Sequence, residues 1–222
     1  MINKEYQVGS INLKQIGSVA QLTLSRPEAL NALTWDMYEQ LDDHLSNLAD
    51  DPSIKVLIIR GEGDKAFAAG TDISQFRNFS GEDGLDYENK MEQITQKLDY
   101  FPKPTIAAIN GYAIGGGLII STACDLRYAT PKSKFGSPMA RTLGNCLSLD
   151  NYQRLASAVG PMRTKELLYT ARNISAEEAF SIGFLTDILE EESFFDKVLE
   201  IATKIRDRKS TRLNSSHTAE SR

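Results

Sequence analysis

Two stretches of small residues carry the chemistry for which this sequence can be read: Ala66-Phe67-Ala68-Ala69-Gly70-Thr71-Asp72-Ile73 and Asn110-Gly111-Tyr112-Ala113-Ile114-Gly115-Gly116-Gly117. Each follows an apolar run, and the second opens an apolar helix, Leu118-Ile119-Ile120-Ser121-Thr122-Ala123. A backbone without bulky side chains lets a ligand come close to its N–H groups. A helix N-terminus adds orphan donors and a partial positive charge. Two such bends converging on one developing negative oxygen would serve acyl-transfer or enolate chemistry.

Periodicity supplies the elements that must position these bends. Residues 6–15 and 18–25 read as strands around Gly17. Thr34 is placed to cap a helix from Trp35 to about Ala49, with Met37, Leu41, Leu45 and Leu48 on one face. Val56-Leu57-Ile58-Ile59 and Thr105-Ile106-Ala107-Ala108-Ile109 are continuous apolar runs, as expected of strands buried on both faces. Residues 76–87 are polar and contain glycine, so a mobile loop over a pocket is expected there. A helix from about 88 to 100 follows, then a strand over 125–129 and irregular chain over 136–149. Helices are expected at about 150–159 and 163–171. Ser175 and Glu178 have the spacing of a capping box, Leu185 to Leu189 reads as a strand, and a last helix begins near Glu192. This order implies an α/β protein with buried strands and outer helices.

At 222 residues, with 41% hydrophobic and 25% charged residues, the chain has the makings of one large globular domain. Its net charge of −5 and the lack of a Lys/Arg-rich run within the globular part argue against nucleic acid as a partner. No apolar stretch reaches membrane-span length, and the polar start lacks a signal-peptide core, so the expected location is cytoplasmic. Cys124 and Cys146 give neither a disulfide framework nor a zinc cluster, and Cys124 sits in an apolar run as a core residue would. No Gly-x-Gly-x-x-Gly follows the first strand, and no Gly-Lys-Ser/Thr closes a glycine-rich turn, which excludes dinucleotide and P-loop readings.

The residues resemble the crotonase (enoyl-CoA hydratase/isomerase) superfamily from about Gln21 to Leu189. The likeness rests on Arg26-Pro27-Glu28-Ala29-Leu30-Asn31-Ala32-Leu33, the two bends above, Cys124-Asp125-Leu126-Arg127 and Ile174-Ser175-Ala176-Glu177-Glu178-Ala179, all in the family's order. It implies a crotonase-like spiral of β-β-α units, assembly as trimers or hexamers, and an acyl-CoA substrate. No separate cofactor is implied, coenzyme A entering as part of the substrate, and no metal. The resemblance further implies a backbone oxyanion hole at Thr71 and Gly116, with substrate contacts around Leu30, Ala66, Ala68, Gly70, Asp72, Ile73, Tyr112, Gly115, Ile119, Pro138 and Met139. Residues 207–222 resemble a translated sequencing adapter, so the expectation is a crotonase-like domain over 1–206, cut short of its natural C-terminus, and a non-native tail.

The family's hydratases carry two glutamates at positions that fall here on Ile119 and on Met139, or on Ala140 if the alignment slides by one. Hydration needs a carboxylate to deprotonate water and a donor for the α-carbon. Neither Ile119 nor Met139 can do this, which puts ordinary two-glutamate hydration in doubt and leaves isomerase, decarboxylase or hydrolase variants open. Among possible replacements, Asp150 is either a base or nucleophile or the cap of a helix starting at Asn151. Cys146 is a possible nucleophile without a visible activating partner. Arg141 either grips a substrate carboxylate or makes a surface ion pair. Asp72 reads as structural or coenzyme-proximal, Glu28 stands where relatives have a basic residue, and His44 reads as a packing or solvated residue. The alternative function is a catalytically silent acyl-CoA-binding or scaffold homologue.

Overall fold

The computed structural model describes residues 9–72, 74, 80–139 and 147–206. Of the expected site residues, Ile73, Arg141 and Cys146 lie outside that set, as do Ala140 and the tail from 207.

Two sheets organise the chain. The larger is ordered β1 (Ser10–Ile16), β2 (Val19–Ser25), β3 (Val56–Gly61), β5 (Thr105–Ile109), β7 (Leu126–Ala129) and β10 (Asp187–Ile188). The smaller is ordered β4 (Ala66–Ala69), β6 (Tyr112–Ile114), β8 (Lys134–Gly136) and β9 (Ile174–Ser175). Apart from the antiparallel pairs β1–β2 and β8–β9, neighbouring strands are parallel. Around them lie α1 (Trp35–Asp50), α2 (Gly81–Asp99), α3 (Gly116–Ala123), α4 (Leu149–Val159), α5 (Pro161–Thr170), α6 (Ala176–Ser181) and α7 (Phe194–Arg206).

The chain winds as a spiral: β3-β4-α2, then β5-β6-α3, then β7-β8. The first strand of each turn joins the large sheet and the second joins the small one. Strand alternation explains the continuous apolar runs. Leu57, Ile59, Ala107 and Ile109 face the main core, where the α1 stripe Met37, Leu41, Leu45 and Leu48 also packs. Val56, Ile58, Ile106 and Ala108 face the other way, against Phe194, Val198 and Ala202 of α7. Cys124 is buried in the main core, as expected.

Several local expectations change. The helix expected from 88 begins at Gly81, because Ser80 and Asp83 close a capping box: Asp83 N–H donates to Ser80 Oγ at 3.2 Å and Ser80 N–H to Asp83 Oδ2 at 2.7 Å. That reciprocal cap outweighs the helix cost of Gly81 and Gly84, so 81–87 is not loop. The cap of α4 is Ser148, which accepts from Asn151 N–H at 3.3 Å; Asp150 sits inside the first turn. Ser175 caps α6, but Glu178 completes no box, since Arg172 takes its carboxylate at 2.5 and 2.8 Å. Of the strand expected over 185–189, Asp187–Ile188 alone pairs with β7. No helix among the described residues is long and apolar enough to cross a membrane.

Candidate active site

The first bend is held by the segment 26–33, which runs alongside it. Leu30 and Asn31 adopt left-handed conformations, φ 53° and 56°, and this turns the Asn31 side chain inward. Its amide donates to Glu62 O at 3.0 Å and Ala66 O at 2.8 Å, and its oxygen accepts from Arg26 N–H. Ala69 N–H donates to Leu30 O, Leu33 N–H to Gly70 O at 2.9 Å, and Asp72 N–H to Leu33 O at 2.9 Å. Leu33 thus uses both backbone groups on the residues flanking Thr71, in the pattern of a parallel bridge. In that pattern Thr71 points its own N–H away from Leu33. Arg26 pins the end of the bend through Asp72 Oδ2 at 2.9 Å. Hydrogen bonds from Ser74, ahead of the Arg26 guanidinium, hold the Asp72 carboxyl below its ordinary value.

The second bend meets the first backbone to backbone. Gly115 has φ 52°, a conformation that favours glycine, and its N–H donates to Gly136 O at 2.9 Å. The first α3 hydrogen bond runs from Ile119 N–H to Gly115 O, which leaves the Gly116 amide among the helix's orphan donors. A methyl carbon on Gly116 would stand 3.2 Å from Thr71 Oγ1 and 2.8 Å from the Tyr38 hydroxyl; one on Gly115 would stand 3.6 Å from Gly70 Cα. Among the described residues, neither the Thr71 nor the Gly116 N–H meets an acceptor.

Both residues open into a cavity of about 80 Å³. Its apolar wall is Met91, Ile119, Ile120, Met139 and Leu147; its polar wall includes Tyr38, Tyr87, Glu88, Thr95, Ser148 and Asn151. The hydroxyls of Tyr38 and Tyr87 both reach Thr71 Oγ1, at 2.9 and 3.3 Å. Trp35 packs edge-on against Tyr87 with ring centroids 4.7 Å apart. Burial first, then the neighbouring Tyr87, pushes the Tyr38 phenol far above its ordinary value, and burial likewise raises Tyr87. Both therefore stay protonated. Burial, followed by the negative charge of Glu92, raises the Glu88 carboxyl. Glu92 itself is engaged by Arg154 at 2.6 Å and by the Ser148 hydroxyl at 3.0 Å.

Of the residues expected from sequence, the structure brings Thr71, Gly116, Ile119 and Met139 together around this cavity. Ala66, Ala68, Gly70 and Gly115 form the bends behind it, and Pro138 is half-buried beside Met139. Leu30 and Tyr112 are exposed and do not line the cavity. Asp150 is also exposed and off the cavity, because the helix starts one residue before it and turns it to the surface. His44 packs as a tether, its Nε2 3.1 Å from Ile11 O, and Glu28 lies exposed 3.8 Å from Arg26 Nε. Tyr38, Tyr87 and Glu88 were not anticipated. The Ser80-x-x-Asp83 spacing held the missing signal: a helix from Gly81 puts Glu88, Met91 and Thr95 on one face at i, i+3 and i+7. No group of three His, Cys, Asp or Glu among the described residues could hold a metal ion.

Comparison with known proteins matches residues 14–219 to the family model described as enoyl-CoA hydratase/isomerase. The chain is 38% identical over 196 residues to the crotonyl-CoA hydratase of Syntrophomonas wolfei, covering 88% of this chain and 75% of that protein. It is 35% identical to the short-chain-enoyl-CoA hydratase of Clostridium acetobutylicum, covering 90% and 76%. Among solved structures, an enoyl-CoA hydratase/carnithine racemase from Magnetospirillum magneticum superposes with a TM-score of 0.84 at 31% identity, covering 90% and 76%.

Proposed function

The chain belongs to the enoyl-CoA hydratase/isomerase family, and from that premise we propose that it acts on a short-chain enoyl-CoA by stabilising a thioester enolate between the N–H groups of Thr71 and Gly116. The observation that carries this reading is that Thr71 and Gly116 line one cavity and that neither N–H meets an acceptor among the described residues. When a nucleophile attacks the β-carbon, or a proton leaves the α-carbon, an electron pair moves onto the thioester oxygen. Two fixed donors stabilise that oxygen more than the ground-state carbonyl, and removing one such donor typically costs about 2.7–4 kcal/mol of barrier. The α3 dipole adds to the Gly116 donor.

The largely apolar lining of the cavity suits an acyl group, and the names of the hydratases from Syntrophomonas and Clostridium agree with a short one. Ile119 and Met139 line that cavity, so proton transfer is not the work of side chains at those positions. The test is to mix the protein with crotonyl-CoA and follow the conjugated-thioester absorbance. A loss of absorbance that Gly116→Ala slows severely is expected; binding without any turnover across a panel of thioesters would replace this reading with that of a silent acyl-CoA binder.

A further inference from the structure

We infer that Glu88 is the catalytic carboxylate of this reaction, the group that moves the proton between water and the α-carbon. The inference rests on the enolate reading above and names the residue that reading lacks. Glu88 is the acid that lines the cavity among the described residues, together with Thr71 and Gly116. It follows Tyr87, whose hydroxyl reaches Thr71, and it shares its wall with Met91 and Thr95 of α2.

The other acids near the site are committed or turned away. Glu92 is held by Arg154 and Ser148. Asp72 is held by Arg26 and Ser74, and Asp150 faces outward. The stretches 73–79 and 140–146 contain no Asp or Glu. Glu88 by contrast makes no hydrogen bond or ion pair among the described residues. A catalytic base needs that freedom, and a carboxyl raised toward working pH is better matched to taking and returning a proton. Among the described residues, the ionisable groups around it are Tyr38 from α1 and Tyr87 and Glu92 from α2, with Arg154 of α4 neutralising Glu92.

The step balances with water as the co-reactant. The Glu88 carboxylate takes a proton from water as the water oxygen bonds to the β-carbon. The C=C electron pair shifts to the α-carbon and onto the thioester oxygen, giving the enolate between the two amides. The enolate then re-forms its carbonyl as the α-carbon takes the proton from the Glu88 carboxylic acid. One water is added and the carboxylate is regenerated.

The experiment compares wild type with Glu88→Gln, Glu88→Asp and the exposed control Glu82→Gln. It measures crotonyl-CoA hydration against pH, α-proton exchange of butyryl-CoA in deuterium oxide, butyryl-CoA affinity and Tm. Glu88→Gln is expected to lower kcat by about 100-fold or more, to abolish exchange and the acidic limb of the profile, and to leave affinity near wild type. Glu88→Asp should keep part of the activity, and Glu82→Gln all of it. Because the fold disfavours the ionised Glu88, Glu88→Gln should melt no lower than wild type at neutral pH, which separates lost chemistry from lost folding. If Glu88→Gln keeps near-wild-type kcat and exchange, the Glu88 assignment is overturned and the enolate reading stands. If wild type neither binds butyryl-CoA nor exchanges its α-proton, both fall.

Discussion

Thr71 Oγ1 is shared by two phenols that arrive from different helices, Tyr38 from α1 and Tyr87 from α2. This arrangement fixes the residue whose amide is proposed to hold the oxyanion. Tyr38→Phe removes one of the two ties and should lower stability by about 0.5–1.5 kcal/mol, read from denaturant unfolding, because Tyr87 still satisfies Thr71. Gly116→Ala is a sharper probe. Gly116 has no left-handed φ to strain, so the new methyl acts through its contacts, at 2.8 Å from Tyr38 and 3.2 Å from Thr71. The expected result is a fall in kcat/KM of roughly 10²–10³ with folding retained, measured with crotonyl-CoA. At this scale the sequence shows Thr71 and Gly116, since small residues in a bend before a helix are a local signal. It does not show Tyr38 or Glu88, whose place at the site depends on how α1 and α2 pack across the bends.

Among the elements, α2 decides the shape of the cavity, since it brings Tyr87, Glu88, Met91 and Thr95 to one wall. Its first turns rest on the box between Ser80 and Asp83. Ser80→Ala should cost about 1 kcal/mol, speed amide exchange over 81–87, and raise KM more than it lowers kcat. The elements read correctly from sequence are those with long periodic patterns: α1 with its Thr34 cap and the buried strands β3 and β5. The start of α2 was obscured by Gly81, Gly84 and a run of polar residues. The ends of β10 were not legible because a strand this short is defined by its partner β7, far away in sequence.

For the molecule as a whole, the Arg26–Asp72 pair ties the loop after β2 to the end of the first bend. Replacing Asp72 by Asn removes a charged partner from a poorly exposed arginine and should destabilise the protein by roughly 1.5–3 kcal/mol at neutral pH. Asp72 has a lowered native value, so its contribution is present above the unfolded value and fades as pH falls through the native one. The Tm difference between wild type and Asp72→Asn should therefore be full near neutrality and close below about pH 4. The order of elements in the sequence shows an α/β protein, the family resemblance implies the spiral, and the pairing of β3, β5 and β7 in one sheet with β4, β6 and β8 in the other gives it physical form.

Gly117 sits where a methyl carbon would lie 2.1 Å from the carbonyl oxygen of Ala68. The start of α3 therefore rests directly on the main chain of β4, and any side chain at Gly117 would wedge the two bends apart. Retuning this enzyme for a bulkier acyl group leaves that seam alone and works on the movable partitions instead, Met91, Ile119 and Met139.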